Sequence, residues 1–249
     1  MNDRSRLVAP TVQAAALLDA ATRREMYGLY ERYYEGTSYQ RFATDLADKD
    51  RVLLLRDAAG GLQGFSTLAV YERRFLGESV RVIFSGDTVV DAHHWGQQAL
   101  AFSWLRLAGE IKAGRPDSPL YWFLISKGHR TYRYLSAFSR RFYPAPQHAT
   151  PRRIRDLMGF LARDRFGDAY DPEDGVLRFA QPQGRLCGAY AQVSDSHRRL
   201  PDVEFFLQRN PGYARGDELV CLCELEADNL QPMAQRAFLA GASLCRERA

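Results

Sequence analysis

"VRVIFSGDTVVDAHHWGQQALAFSWL", residues 80–105, decides how the chain is read. Its first half alternates apolar and polar residues with a period of two, as a strand does. Its second half repeats at helical spacing: Leu100, Trp104, Leu107 and Ile111 form one stripe, widened by Ala101, Leu105 and Ala108. The spacing predicts a strand over 80–90 and a helix over 93–113. At the seam, opening that helix, stand His93, His94, Trp95 and Gly96.

Working outward, "RVLLLRD" (51–57) and "LQGFSTLAVYERR" (62–74) read as two further strands. The short glycine-containing connections make the three an antiparallel meander. "LYWFLIS" (120–126) is almost continuously apolar, the mark of a central strand covered on both faces. A helical crossover joins it to strand 80–90, so those two are expected to be parallel neighbours. "HRTYRYLSAFSRRFY" (129–143) follows as a helix stopped by Pro144. Upstream, 20–35 reads as a helix and 38–49 as a second one capped by Ser38. Downstream, 151–167, 200–212 and 230–241 read as helices. "DELVCLCELEA" (217–227) reads as a strand, and 175–193 as two short strands around "QPQG". The fold class is α/β: a mixed, mostly antiparallel central sheet flanked by helices. The chain divides into a core over 1–145 and a C-terminal α+β extension over 146–249 that rejoins the same sheet.

The chain has 249 residues, 46% of them hydrophobic and 26% charged, with a net charge of +4. That is enough apolar material for a sizeable core. The charge suits an anionic small ligand or acidic partner and lacks the dense basic patch of a nucleic-acid binder. No run approaches the roughly 20 apolar residues of a membrane span. The opening residues lack the apolar stretch of a signal peptide, so a cytoplasmic location is expected. Cys187, Cys221, Cys223 and Cys245 form no C-x-x-C pair and read as core thiols. "DAYDPED" (168–174) has the composition of a calcium loop without its spacing, and reads as solvated.

His93 and His94 do not make a metal site. Adjacent helical residues point about 100° apart, and no H-x-x-x-H pattern completes a ligand set. They remain either donors near a bound phosphate or surface residues at the helix mouth. A helix N-terminus offers unpaired N–H groups to an anion, and Gly96 lets a ligand approach the backbone. Strict alternation puts Ser85 and Asp87 on one strand face with Ile83 and Val89. A carboxylate there is costly unless it is paired or part of a site.

Residues 51–143 resemble the GNAT superfamily of acyl-CoA N-acyltransferases. The resemblance lies in the order of elements, in the seam "FSGDTVVDAHHWGQQALAFSWL", and in "YWFLISKGHRTYRYLSAFSRRFYP", a strand followed by a tyrosine-bearing helix. It implies transfer of an acyl group from acyl-CoA to a small-molecule or peptide amine. Asp87 is implied as the base that deprotonates the amine, and Tyr134, or else Tyr132, as the acid that protonates the leaving thiolate. Their other reading is a locally bonded Asp and packed aromatics. Val89, Val90, His93, His94, Trp95, Gly96, Lys127 and Arg133 are implied to hold the donor, with no metal. The family's seam is R/Q-x-x-G-x-G/A, whereas "HHWGQQAL" has one glycine and bulkier neighbours. That departure leaves room for acyl-phosphopantetheine on an acyl carrier protein as donor. Docking of such an acidic carrier or of a nucleotide 3′-phosphate is one reading of the arginines at 130, 133, 140, 141, 152, 153 and 155; a solvated face is another, and nucleic acid, which no recognition motif supports, is a third. The alternative to an enzyme is a GNAT-shaped binding or regulatory module.

Overall fold

The computed structural model describes residues 6–181 and 183–247. The elements run β1 (Thr11–Ala14), α1 (Ala20–Tyr30), β2 (Tyr34–Glu35), α2 (Tyr39–Ala47), β3 (Arg51–Arg56), β4 (Leu62–Phe75) and β5 (Glu78–Val90). Then come α3 (Ala99–Ala113), β6 (Leu120–Ser126), α4 (His129–Phe138), α5 (Arg152–Phe166), β7 (Tyr170–Asp171), β8 (Val176–Leu177) and β9 (Arg185–Leu186). Three short helices follow, α6 (Gly188–Ala191), α7 (Asp195–Arg198) and α8 (Pro201–Arg209), before β10 (Glu218–Glu224) and α9 (Pro232–Glu247).

The main sheet has the order β1-β3-β4-β5-β6-β10-β8-β7, and β2 pairs separately with β9. Among the described strands only β5 and β6 pair in parallel; the other neighbours are antiparallel. The expected fold class is therefore what the chain adopts. One sheet face carries Leu53, Leu68, Ile83, Trp122 and Leu124, packed under α3, α4 and α9. On the other, Val82, Phe84, Phe123 and Val220 meet α5 through Leu157 and Leu161. Toward the β3 side, Val52, Leu54, Phe65 and Val89 pack on α1 and α2 through Met26, Leu29, Phe42 and Leu46. No helix among the described residues is long and apolar enough to cross a membrane.

Two local features of β5 shape everything that follows. Ser66 pairs with Thr88 and Leu68 with Ser85, so Gly86 and Asp87 together stand against Thr67. This is a β-bulge. In addition, β6 follows β5 only from Arg81↔Leu120 to Ser85↔Leu124. Beyond that point Ile125 and Ser126 pair with β10, while β5 continues to Val90 with no strand partner on its β6 side among the described residues; the Val90 carbonyl accepts there from the Trp95 indole N–H at 2.9 Å. The two parallel strands part there.

Helix boundaries differ from the sequence reading: α9 runs on to Glu247, α8 stops at Arg209, and three differences bear on the site. The helix expected from 93 begins at Ala99. The Asp91 carboxylate accepts from the His93 backbone N–H at 3.1 Å and pairs with its ring Nδ1 at 2.8 Å, holding Ala92–His94 in a single 3-10 turn. Gly96 then takes φ +86°, a left-handed conformation that ends any helical run. The helix from 129 stops at Phe138, because the segment after it pairs elsewhere. Tyr143 and Leu222 exchange both backbone hydrogen bonds at 2.8 Å, and Ser139 bridges Leu230. Helix α1 stops at Tyr30, since Tyr34 and Glu35 pair with Leu186 and Arg185. Cys221 and Cys223 are buried free thiols on β10, pushed up in pKa by burial, and Cys187 is a half-buried free thiol. The side chain of Cys245 lies outside the described ones.

Candidate active site

Where β5 and β6 part, two clefts open. The larger, of about 530 Å³, runs between the end of β5 (Thr88, Val89, Val90), the turn His94–Gln98 and the first turns of α4, from Gly128 to Tyr134. Leu186, Tyr190 and His197 close it from the C-terminal side. An aromatic cluster fixes this closure: the Tyr190 ring lies 4.7 Å from Tyr33 and 5.7 Å from Trp95. Arg130 sits 4.5 Å over Trp95 and donates to the Tyr190 carbonyl at 3.0 Å. Helix α3 starts at this cleft with Gln98 as N-cap and no side-chain cap bond, so its first N–H groups are available to a ligand.

The second cleft, of about 260 Å³, lies on the α1/α2 side. Its walls are Tyr30 and Tyr34, stacked at 4.4 Å, with Phe84, Phe166 and Phe179. Its charged groups are Arg41, Asp45, Asp87, Lys127 and Glu218. Tyr34, Thr88 and Thr131 line both clefts and so mark their junction.

Asp87 projects into the second cleft from the bulge. The expected sharing of one face by Ile83, Ser85, Asp87 and Val89 fails for that reason. The bulge adds one residue and reverses the alternation, so Val89 packs toward α1 and α2 while Ile83 stays under α3. The half-buried Asp87 carboxylate has no hydrogen bond or ion pair among the described residues. Burial pushes it up to about 7; the charge of Asp45 adds to the rise, and Lys127 and Lys49 oppose it. Glu218 is buried and likewise raised by burial, opposed by Lys127 at 3.3 Å. Lys49 is buried against Asp45, 2.7 Å from its carboxylate. Gly86 is required here, because a Cβ would strike the Thr67 hydroxyl and the Lys49 stem.

Tyr134 lines the larger cleft, half-buried, stacked on Phe138 and raised in pKa by burial. Tyr132 does not reach either cleft. It is 0% exposed, and its hydroxyl donates to the Pro144 carbonyl at 2.8 Å, so it is a core residue. Val89, Val90, His94, Trp95, Gly96 and Arg133 all border the larger cleft. His93 does not: it is turned to Asp91 and solvent, and Asp91 also pairs with Arg32 at 3.0 Å. Lys127 stands on the second cleft, where Glu218 and the Gln183 carbonyl (3.2 Å) hold it. The arginines do not form one patch. Arg130 and Arg133 border the cleft, while Arg152 and Arg153 on α5 pair with Asp156 and Glu78.

Several lining residues carried no signal in the sequence. Tyr190 comes from a run that reads as a short strand but is strand only over β9 and then the short helix α6, and His197 from a stretch that suggests no element. His197 Nδ1 lies 3.3 Å from Nε2 of the buried His129, whose pKa burial lowers to about 4, with Arg130 and His197 adding to the fall. Glu218, a charge opening an apolar strand, was the one mark available for its role. No group of three or more His, Cys, Asp and Glu side chains placed to hold a metal occurs among the described residues.

No family model matches the chain, and no curated protein matches it. Among solved structures it is similar to a GNAT family N-acetyltransferase from Escherichia coli in complex with CoA, at 16% identity and a TM-score of 0.37, covering 53% of this chain and 69% of that one. An acyl-CoA N-acyltransferase from Pseudomonas aeruginosa is similar at 18% identity and a TM-score of 0.35, covering 53% and 88%. A conserved protein of unknown function from Enterococcus faecalis is similar at 14% identity and a TM-score of 0.39 over 54% of this chain, which spans 33% of that protein's length.

Proposed function

We propose that this chain is a GNAT-type N-acyltransferase that moves an acyl group from a pantetheine thioester, acyl-CoA or acyl carrier protein, to an amine. The observation that carries the reading is the bulge residue Asp87, a half-buried carboxylate on the wall of the second cleft, next to the junction residue Thr88, with no hydrogen bond or ion pair among the described residues. The thioester arm lies in the larger cleft. Its amides pair with the β5 backbone beyond Ser85, on the side that β6 leaves, short of the Val90 carbonyl that Trp95 holds. The diphosphate of CoA meets the uncapped start of α3, Arg130 and Arg133. The amine enters through the second cleft.

The amine nitrogen attacks the thioester carbonyl. The new C–N bond forms, and a β5 backbone N–H stabilises the oxyanion. Asp87 takes the proton that the nitrogen sheds, directly or through one water. The C–S bond then breaks, and Tyr134 gives its phenolic proton to the leaving sulfur and regains one from solvent. A carboxylate titrating near 7 is matched to this role: half ionised at neutral pH and basic enough to accept the proton. The aromatic walls of the second cleft favour an amine with an apolar body.

Thermal melting with CoA, acyl-CoAs and acyl carrier protein tests the reading. Stabilisation by CoA thioesters or an acyl-carrier thioester, and none by ATP, is the expected result. No stabilisation by any of these donors would leave the chain as a binding module of another kind.

A further inference from the structure

A third cavity opens off the same junction and is used by nothing described so far. It lies between the parted strands under the first turns of α3, with Leu100, Ala101 and Trp104 above and Trp122 and Leu124 on the β6 side. Thr88, Thr131 and Tyr134 form its mouth, and these residues also line the larger cleft. We propose that this cavity is an acyl-chain subsite that takes an unbranched apolar acyl group of about four to six carbons. The inference rests on the acyl-transfer reading.

Three observations carry it. The first is position. A thioester whose carbonyl sits at the Thr88–Thr131 junction has its sulfur arm in one cleft and the amine in the other, so its acyl chain needs a third direction. This cavity supplies one. The second is chemistry. Trp104 and Trp122 pack at 4.6 Å along its wall. The Ser85 hydroxyl is taken by the Trp122 indole N–H at 2.9 Å, and the Ser66 and Thr88 hydroxyls bond each other at 2.7 Å. These hydroxyls bind within the wall, and the lining is otherwise mostly carbon; the Trp104 indole N–H is its one buried side-chain group without a partner among the described residues. The third is size. The cavity holds about 50 Å³, on a measure in which one water-sized group needs about 10–15 Å³. That is room for about four carbons beyond the carbonyl. An acetyl group leaves most of it empty, and a palmitoyl chain overruns it.

Calorimetric titration of CoA and of acetyl-, butyryl-, hexanoyl- and palmitoyl-CoA tests the subsite, with S-hexanoylpantetheine as a probe without the nucleotide. The same series is run on Ala101→Phe, a change at a half-buried helix position that fills the cavity. Its melting temperature without ligand reports that it folds. The wild type is expected to bind butyryl- and hexanoyl-CoA on the order of tenfold more tightly than acetyl-CoA. Ala101→Phe is expected to erase that difference. Equal affinity across chain lengths, tightest binding of palmitoyl-CoA, or a preference untouched by Ala101→Phe would overturn the subsite while the donor cleft stands. Binding of neither CoA nor any thioester would overturn the donor cleft and the subsite together.

Discussion

Asp87 links chemistry to stability at the scale of one residue. Its folded carboxyl titrates near 7, against about 3.9 in an unfolded chain. The folded state therefore holds the proton to higher pH, and stability falls as pH rises from about 4 to about 7. Asp87→Asn removes that loss. The variant is expected to melt higher than wild type at pH 8, by on the order of 3 °C, with the gap closing below about pH 4. Melting curves across that range check it; a lower melting point at pH 8 would contradict the account. Tyr134→Phe is expected to lower kcat about 100-fold with little change in KM, since a general acid acts only as the thiolate leaves. Both residues stand out as candidates in the strand and helix that carry them. The clash between Tyr132 and Tyr134 as candidates was not, because spacing alone does not reveal that the Tyr132 hydroxyl is buried against Pro144.

At the scale of elements, the bulge in β5 aims Asp87 and the parting of β5 from β6 makes the clefts. Strict alternation over "FSGDTVV" predicts the wrong face for Asp87, because a bulge inserts one residue with no mark except Gly86 itself. The glycine was the available signal: a small residue inside an apolar strand often marks a bulge or a close approach. Gly86→Ala drives a Cβ into Thr67 and Lys49. It is expected to destabilise the protein by about 1–3 kcal/mol and to lower activity further by displacing Asp87. Denaturant unfolding and a turnover assay check this, and unchanged stability would contradict it. The start of α3 was misread for a related reason. Helical spacing from Leu100 onward is strong, but the run before it is tied down by Asp91 and broken by a left-handed Gly96.

The whole molecule depends on residues beyond 145 for both core and site. β10 pairs with β6 over six residues, and α9 packs Ala234 and Phe238 into the core beside α3. Gly109 and Gly241 let α3 and α9 approach until a Cβ on either would meet the other's backbone. The same C-terminal stretch supplies Phe166, Phe179 and Glu218 to one cleft and Tyr190 and His197 to the other. A chain cut after residue 145 is therefore expected to give no cooperative melting transition, measured by circular dichroism; a sharp transition would contradict this. The meander β3-β4-β5 and its parallel neighbour β6 were legible because each strand carries its own apolar pattern; β1 and β7, too short to show one, and the places of β8 and β10 were not. The clefts' outer walls were not, because they come from turns and very short helices whose placement is set by tertiary contacts. The central claim is that Asp87 serves as base in acyl transfer to an amine. The most direct test is the pH dependence of amine-dependent thiol release from acyl-CoA by the wild type and by Asp87→Asn. The account predicts a rate that rises with pH through about 7 in the wild type, and in Asp87→Asn a loss of about 100-fold or more together with that rise. Full activity in Asp87→Asn with the same pH dependence would contradict it.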